Sequence, residues 1–273
     1  MEREINLCVL RDSVVKIFSF SFLISFLRCV FMKGGIYIGT SGWSYEHWRG
    51  LFYPEKLPSY KRLAFYCEHF KTVELNVTFY RQPRDATFDS WRRNTPDGFL
   101  FSVKASRFIT HIRRLRDVAE PLKKFLSGAL RLKEKLGVVL VQLPPGLKKD
   151  IQLLDDFLSL LPAGVRFTVE FRNEDWMTDD TYEVLKKHNA AFCIFDMPGM
   201  QTPVMATADF VYVRFHGGKA LYSSEYSEDE MQDWADKLRP LLKGGKDLFV
   251  YFNNDTNAYA IANAKMLHSI LAK

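Results

Sequence analysis

Cysteine is scarce in this sequence: there are four among 273 residues, Cys8, Cys29, Cys67 and Cys193. They lie far apart and form no C-x-x-C pair, which argues against both a disulfide scaffold and a structural zinc knuckle. With 47% hydrophobic and 26% charged residues, the composition is typical of a globular protein and not of a disordered one. We therefore expect a reduced, cytoplasmic protein.

Long hydrophobic runs are also missing. The segment Ile17–Leu27 has eleven uncharged residues, too few to span a bilayer, and no longer apolar run follows it. Its length suits the hydrophobic region of a signal peptide. However, Glu2, Glu4 and Asp12 reduce the positive charge of the residues before it, and no A-x-A-like cleavage site follows. We expect no membrane partner. We interpret residues 1–31 as an extension, either because translation begins at Met32 or because the segment is poorly ordered, ahead of one domain over residues 32–273.

Several common motifs for catalysis and cofactor binding are absent. No G-x-G-x-x-G turn follows the first candidate strand, which disfavours a dinucleotide-binding fold. No G-x-S-x-G elbow indicates a serine nucleophile, and no H-x-H or H-E-x-x-H spacing indicates a metal site. We predict no cofactor and keep a divalent metal only as part of an alternative function.

From Gly35 onward, short apolar runs alternate with helical stretches about eight times. Strict alternation predicts a parallel sheet, and eight units predict a single (β/α)8 TIM barrel, with an open doubly wound sheet as the alternative. The predicted strands are Ile36–Gly39, Thr72–Asn76, Phe99–Lys104, Val138–Leu143, Arg166–Arg172, Ala191–Asp196, Phe210–His216 and Asp247–Asn253. The predicted helices are Tyr60–Phe70, Asp85–Asn94, Val118–Leu136, Ile151–Leu161, Asp179–His188, Glu228–Leu242 and Asn257–Leu271, and the link from Asp196 to Asp209 is predicted to be a loop.

The two faces of the candidate strands differ in polarity. In Phe210–His216 one face is apolar, whereas the other carries Tyr212, Arg214 and His216. Because the apolar face of a barrel strand packs on helices, Arg214 and His216 are predicted to point inward. Applied to six other strands, the same rule predicts that Cys193 points outward. It predicts that eight further side chains point inward: Glu74, Asn76, Lys104, Gln142, Glu170, Arg172, Asp196 and Asn253. These residues lie near the C-terminal ends of the strands, where a barrel carries its active site.

The predicted inward side chains suit acid–base chemistry on a small anionic substrate. Glu170 and His216 are the candidate base and acid, and Lys104 is the third candidate catalytic residue. Arg172 and Arg214, together with Lys104, would bind a carboxylate or a phosphate. The other candidate substrate-binding residues are Glu74, Asn76, His111, Gln142, Asp196, Asn253 and Gly217, the last through its backbone N–H. The structural alternative is an ion-pair network that seals the barrel mouth.

Positive charge is concentrated in one segment of a chain whose formal net charge is +6. Lys104–Arg116 holds five cations and one histidine but no acid, which makes nucleic acid a candidate partner. A second predicted function is therefore a metal-assisted phosphodiesterase or nuclease, and a third is a non-catalytic barrel that binds a ligand. The candidate nucleic-acid contacts are Arg107, Arg113, Arg114 and Arg116. The candidate metal ligands are Glu74, Glu170, Asp196, His111 and His216.

Seven ordered sequence blocks from Gly35 to Lys273 resemble one known family. They are GTSGWSY (39–45) with FYP (52–54), TVELNVTFYRQP (72–83), FSVKASRFITH (101–111), VQLPP (141–145), VEFRNEDW (169–176), VRFHG (213–217) and VYFNN (250–254). This pattern resembles the YecE-like family, also known as domain of unknown function 72. The resemblance implies a TIM barrel and supplies no reaction, because the family is uncharacterised.

Overall fold

The computed structural model describes residues 34–273 and confirms the predicted TIM barrel. Its parallel strands are β1 (Ile36–Thr40), β2 (Thr72–Leu75), β3 (Leu100–Lys104), β4 (Leu136–Gln142), β5 (Arg166–Glu170), β6 (Ala191–Met197), β8 (Phe210–Phe215) and β9 (Asp247–Phe252). They form a nearly closed sheet in the order β1-β9-β8-β6-β5-β4-β3-β2, and the short β7 (Met200–Gln201) pairs antiparallel with β6. Residues 1–31, for which an extension is predicted, lie outside the described residues.

Helices surround the sheet, as the alternating pattern predicts. They are α1 (Arg62–Cys67), α2 (Val77–Tyr80), α3 (Asp85–Arg93), α4 (Ala119–Ala129), α5 (Ile151–Ser159), α6 (Asp179–Lys187), α7 (Glu228–Lys243) and α8 (Tyr259–Ala272). The predicted helix Val118–Leu136 is divided: α4 ends at Ala129, and the 3-10 turn Leu130–Lys135 that follows contains Lys133 at φ +52°. None of the helices within residues 34–273 is long and apolar enough to cross a membrane.

The apolar side chains form two separate layers because alternate residues of each strand point to opposite faces. The larger layer lies between the sheet and the helices and includes Val73, Val141 and Val213. The smaller layer fills the barrel interior. It consists of Val138, Leu140, Ala191, Cys193, Ala208, Phe210, Tyr212, Phe249 and Tyr251. The polar ends of the strands therefore lie above a packed interior.

A side chain closes the barrel between its first two strands. Within residues 34–273 no backbone ladder joins β1 to β2, which are the two ends of the strand order. The hydroxyl group of Tyr66 lies in this gap, where it accepts a hydrogen bond from the Thr40 N–H at 3.0 Å and donates one to the Thr72 carbonyl at 3.1 Å. Gly39 permits the close approach, since a Cβ atom there would lie 2.2 Å from the Thr72 oxygen.

We expect Tyr66→Phe to lower the free energy of unfolding by about 1–3 kcal/mol, because it leaves buried backbone groups of both strands without a partner. Urea denaturation measures this change. Tyr60→Phe is the matched control, since Tyr60 is 79% exposed and should tolerate the same substitution. Equal stability of the two variants would show that the Tyr66 hydroxyl does not contribute to closure.

Candidate active site at the barrel mouth

Arg214 occupies the centre of the barrel mouth and joins three strands. Its two terminal nitrogens donate to Glu74 Oε1 at 2.7 Å and to Glu170 Oε2 at 2.5 Å. Tyr212 Oη donates to the second oxygen of Glu74 at 2.8 Å. Glu74 and Glu170 are fully buried and Arg214 is 1% exposed, so these charges depend on one another for solvation.

The guanidinium groups keep both buried carboxylates ionised. Burial alone would raise the pKa of Glu170, but Arg172 and Arg214 hold it well below its ordinary value. Burial likewise opposes ionisation of Glu74, whose pKa is nevertheless lowered by Arg214 and, more weakly, by Lys104. Neither group is therefore poised to exchange a proton near neutral pH.

His216 is held neutral and in one tautomer. Its Nε2 lies 2.8 Å from Arg172 Nη2, and because a guanidinium only donates, Nε2 must be the acceptor. Nδ1 then carries the proton. Asn253 Nδ2 lies 3.2 Å from Nδ1, so the Asn253 amide satisfies that N–H only when it is turned to place its oxygen there. Burial and the nearby Arg214 lower the pKa of His216 to about 4.

Arg172 completes the ion-pair network from the edge of the mouth. Its Nε donates to Glu170 Oε1, and its guanidinium lies over the Phe195 ring at 4.9 Å from the centroid. Its Nη1 is 2.9 Å from Met197 Sδ, and a thioether is a weak acceptor. The Arg172 side chain is only 10% exposed, so its Nη1–H group is left with a weak hydrogen-bond acceptor.

Lys104 is the cation of this site without an acceptor. The side chain is half-buried, and Nζ lies 4.4 Å from the centroid of the Phe79 ring. Within residues 34–273 it makes neither a hydrogen bond nor an ion pair. Burial and the positive charge of Arg214 lower the pKa of Lys104 to about 8, despite the opposing effect of Glu170 and Glu74. We call Glu74, Lys104, Glu170, Arg172, Arg214 and His216 the mouth cluster.

Three other predicted residues lie around the mouth cluster. The His111 ring meets Phe79 edge-on at 4.9 Å, and burial and Lys104 lower its pKa. Asn76 Nδ2 donates to the Ser41 carbonyl at 3.5 Å, while its buried Oδ1 has no partner within residues 34–273. Gln142 is half-buried and pairs in register with Glu170. Together with Asn253, these side chains offer amide and imidazole groups to a ligand.

The predicted orientation of strand β6, with Asp196 pointing inward and Cys193 pointing outward, is wrong. Cys193 belongs to the interior layer, with Sγ 3.8 Å from Glu170 Oε2, whereas Asp196 shares the face of Phe192 and Ile194 that packs on the helices. The Asp196 carboxylate accepts a hydrogen bond from Gln201 Nε2 at 3.2 Å. Both faces of this strand are apolar below Asp196, so polarity could not determine which face points inward.

Gly217 also differs from its predicted role. Its N–H, expected to bind a phosphate, donates to Tyr226 Oη at 3.1 Å. The residue has φ +91°, and a Cβ atom would lie 2.4 Å from the Ala220 carbonyl oxygen. The glycine is therefore explained by the tight turn after β8, and its backbone donor is already occupied.

Residues 37–273 match the family described as "Protein of unknown function DUF72". This chain belongs to the DUF72 family. The UPF0759 protein YunF of Bacillus subtilis is 30% identical over 270 residues, covering 86% of this chain and 94% of that protein.

Solved structures agree with this assignment. A DUF72 family protein from Thermotoga maritima is 32% identical, with a TM-score of 0.80 over 88% of this chain and 100% of that one. Another from Enterococcus faecalis has a TM-score of 0.76 and 21% identity over 87% of this chain and 96% of that one, and it supports the fold alone. These relatives establish family and fold, and they identify no substrate.

In this DUF72 protein, one arginine of the basic segment Lys104–Arg116 has an acidic partner from elsewhere in the chain, although the segment itself contains no acid. Arg116 pairs with Asp150 at 2.9 Å, an acid 34 positions away. Arg107, Arg113 and Arg114 are exposed, and Arg113 lies over the Phe108 ring at 5.6 Å. Three arginines therefore remain as candidate phosphate contacts beside the mouth.

Sequence reasoning missed several residues that shape the site. Tyr212 was placed on the same face of β8 as Arg214, but it was not predicted to be a site residue, although its hydroxyl group donates to Glu74. Phe79, Phe195 and Met197 contact the cations of the mouth cluster but carry no polar signal that would mark them. Across residues 34–273, no group of three or more His, Cys, Asp and Glu side chains is placed to hold a metal ion.

Proposed function

We propose that this DUF72 protein is an enzyme that binds a carboxylate- or phosphate-bearing substrate in the barrel mouth. The observation that carries the proposal is the cation of Lys104, which has no acceptor within residues 34–273. Beside it, Arg172 offers an N–H that rests on a thioether. The mouth cluster has three cations against two carboxylates while His216 is neutral, so an anion would balance its charge.

Within this proposal the roles of the predicted catalytic residues differ. Lys104 exchanges a proton in the range where enzymes work, because its pKa is about 8. Glu170 stays ionised and orients Arg172 and Arg214, while His216 accepts from Arg172 and helps to fix its plane. Glu170 and His216 thus act as positioning residues for the anion-binding guanidinium groups.

Sulfate binding tests the anion site, because sulfate keeps its charge across the pH range in which Lys104 titrates. We expect affinity to fall about tenfold as pH rises through about 8 and Lys104 loses its proton. In Lys104→Met, affinity should already be low at pH 7 and should not change with pH. Isothermal titration measures both.

Lys123→Met is the control, since Lys123 is an exposed lysine on α4. It should retain both the affinity and the pH dependence. The same pH dependence in Lys104→Met as in the unmodified protein would contradict the proposed anion site.

A second candidate function, nucleic-acid binding, is favoured by the surface next to the mouth. Tyr80 is 79% exposed and packs on Phe79, whose ring meets His111 of the basic segment. Phe108 of that segment is 42% exposed and lies under Arg113, and Arg107, Arg113 and Arg114 have no acidic partner within residues 34–273. Exposed aromatic groups can stack on bases while cations contact phosphates. This pattern fits single-stranded nucleic acid better than a duplex.

We expect Arg113→Ala/Arg114→Ala to weaken binding of a short single-stranded DNA and to reduce the slope of log affinity against log salt by about 1.4, the value for two phosphate contacts. Fluorescence anisotropy over a salt series measures the slope. Lys71→Ala/Lys273→Ala is the control, because these exposed residues lie at the opposite end of the barrel. An unchanged slope in the arginine variant would exclude this surface as the binding site.

A further inference from the structure

Most members of the mouth cluster are committed to one another. Glu74 and Glu170 hold Arg214, and both oxygens of Glu170 are engaged. The acceptor nitrogen of His216 is occupied by Arg172. Proton exchange by any of these groups would break a buried charge-assisted hydrogen bond. Lys104 alone in the cluster changes its charge without losing a hydrogen bond to another residue of the range 34–273.

Because Lys104 is the one member of the mouth cluster that changes its charge in this way, the arrangement favours one of two kinds of lysine chemistry. Catalysis by a separate acid and base needs two groups that exchange protons near neutral pH. Imine chemistry needs only one, because the same amine attacks the carbonyl carbon and then carries the positive charge that activates the substrate. A lysine amine placed among other cations and apolar surface is the usual form of such a nucleophile.

Extending the proposed function, on which it rests, we propose that Lys104 Nζ forms an imine with an aldehyde or ketone that carries a carboxylate or phosphate group. The amine lone pair attacks the carbonyl carbon, and proton transfer from nitrogen to oxygen gives a carbinolamine. Loss of the hydroxyl group with a proton as water leaves the C=N bond, which becomes an iminium ion when it takes up a proton. No redox partner is required.

The surroundings of Lys104 suit each part of this substrate. The anionic group would meet the weakly satisfied N–H of Arg172. The iminium cation would remain over the Phe79 ring face, where Nζ already lies at 4.4 Å from the centroid. Asn76 directly precedes α2, the helix that carries Phe79, and its buried Oδ1 has no partner in the described chain. We assign it the hydrogen bond from the carbinolamine hydroxyl.

Reductive trapping tests the proposal on the unmodified protein. The folded chain is incubated with glyoxylate and borohydride at pH 7, and each lysine is quantified by peptide mass spectrometry. We expect Lys104 to be labelled at least about tenfold faster than exposed Lys123, because a lowered pKa leaves more neutral amine. Acetaldehyde, which lacks the carboxylate, should label Lys104 more slowly, and sulfate should protect it.

A matched pair of variants locates the anion group. Arg172→Gln should reduce the preference of Lys104 for glyoxylate over acetaldehyde several-fold, whereas Arg93→Gln, at an exposed arginine at the end of α3, should not. The two rates come from the same peptide of one folded sample, so the ratio is independent of any change in stability. An unchanged ratio in Arg172→Gln would overturn the placement of the anion.

The outcomes separate the two proposals. Labelling of Lys104 no faster than that of Lys123, with sulfate still bound in a Lys104-dependent way, would overturn imine formation and leave the anion site intact. Absence of both preferential labelling and sulfate binding would overturn the proposed function as well. Preferential labelling by glyoxylate with protection by sulfate supports both.

Discussion

Replacing Glu170 with glutamine should lower the free energy of unfolding by about 3–5 kcal/mol, the cost of removing one partner from a buried ion pair. The substitution keeps the shape of the side chain but leaves Arg214 with only Glu74 as its counter-ion, and it leaves Arg172 with none within residues 34–273. For a chain of this size the melting temperature should fall by roughly 10 °C. Thermal and urea denaturation at pH 7 measure the two changes.

Glu174→Gln is the control, because Glu174 is an exposed glutamate four positions further along. Its stability should stay within about 0.5 kcal/mol of the unmodified protein. A Glu170→Gln variant as stable as this control would contradict the buried ion-pair network. The network would then not be what fixes Arg172 and Arg214 in the mouth.

Lys104→Met should have the opposite effect and raise the free energy of unfolding at pH 7 by about 1–3 kcal/mol. The folded protein lowers the pKa of Lys104 to about 8 from an ordinary 10.5, mainly through burial and then through Arg214. The folded state therefore carries a penalty for the charged form below pH 8. Between about pH 8 and 10.5 the unfolded chain binds more protons, so the stability of the unmodified protein rises with pH.

Denaturation of the unmodified protein and Lys104→Met across this pH range measures the effect. The excess free energy of unfolding of Lys104→Met over the unmodified protein should be fully present at pH 7. It should disappear as pH approaches 10.5, because Lys104 then loses its proton in the unfolded chain too. Lys71→Met, at an exposed lysine, should show no such convergence. If Lys104→Met were less stable than the unmodified protein at pH 7, the Lys104 cation would stabilise the folded state. The predicted penalty for burying the charged lysine would then be wrong.

The strands of this barrel could be predicted closely because their signal is local. The alternation of apolar runs with amphipathic helices placed all eight parallel strands to within about two residues at either end. Strand polarity also predicted correctly that Glu74, Glu170 and Arg214 meet inside the mouth, since in β2, β5 and β8 only one face is apolar. It could not orient β6, where Cys193 and Ile194 are both apolar.

The chemistry of the site was less predictable because it depends on contacts between distant segments. The sequence raised an ion-pair network as the structural alternative, but it did not show that Arg214 from β8 would occupy the second oxygen of Glu170. The two guanidinium groups lower the pKa of Glu170, whereas a general base at neutral pH needs a higher pKa. For the same reason the basic segment looked unpaired, although Asp150 neutralises Arg116 from the start of α5. Charge type and spacing identify a cluster, and only its geometry identifies which cation has no hydrogen-bond acceptor within residues 34–273.

The closure at Tyr66 has a consequence for how this barrel is protected from self-association. A barrel normally avoids aggregation because it has no strand edges, but β1 and β2 each keep an edge that one phenol ring shields. Ser41 Oγ, just beyond β1, also spans this seam to Glu74 Oε1 at 2.8 Å, so the seam ends in the mouth cluster. Loss of the phenol would therefore expose two strand edges able to pair with another chain, and it would do so beside the mouth cluster.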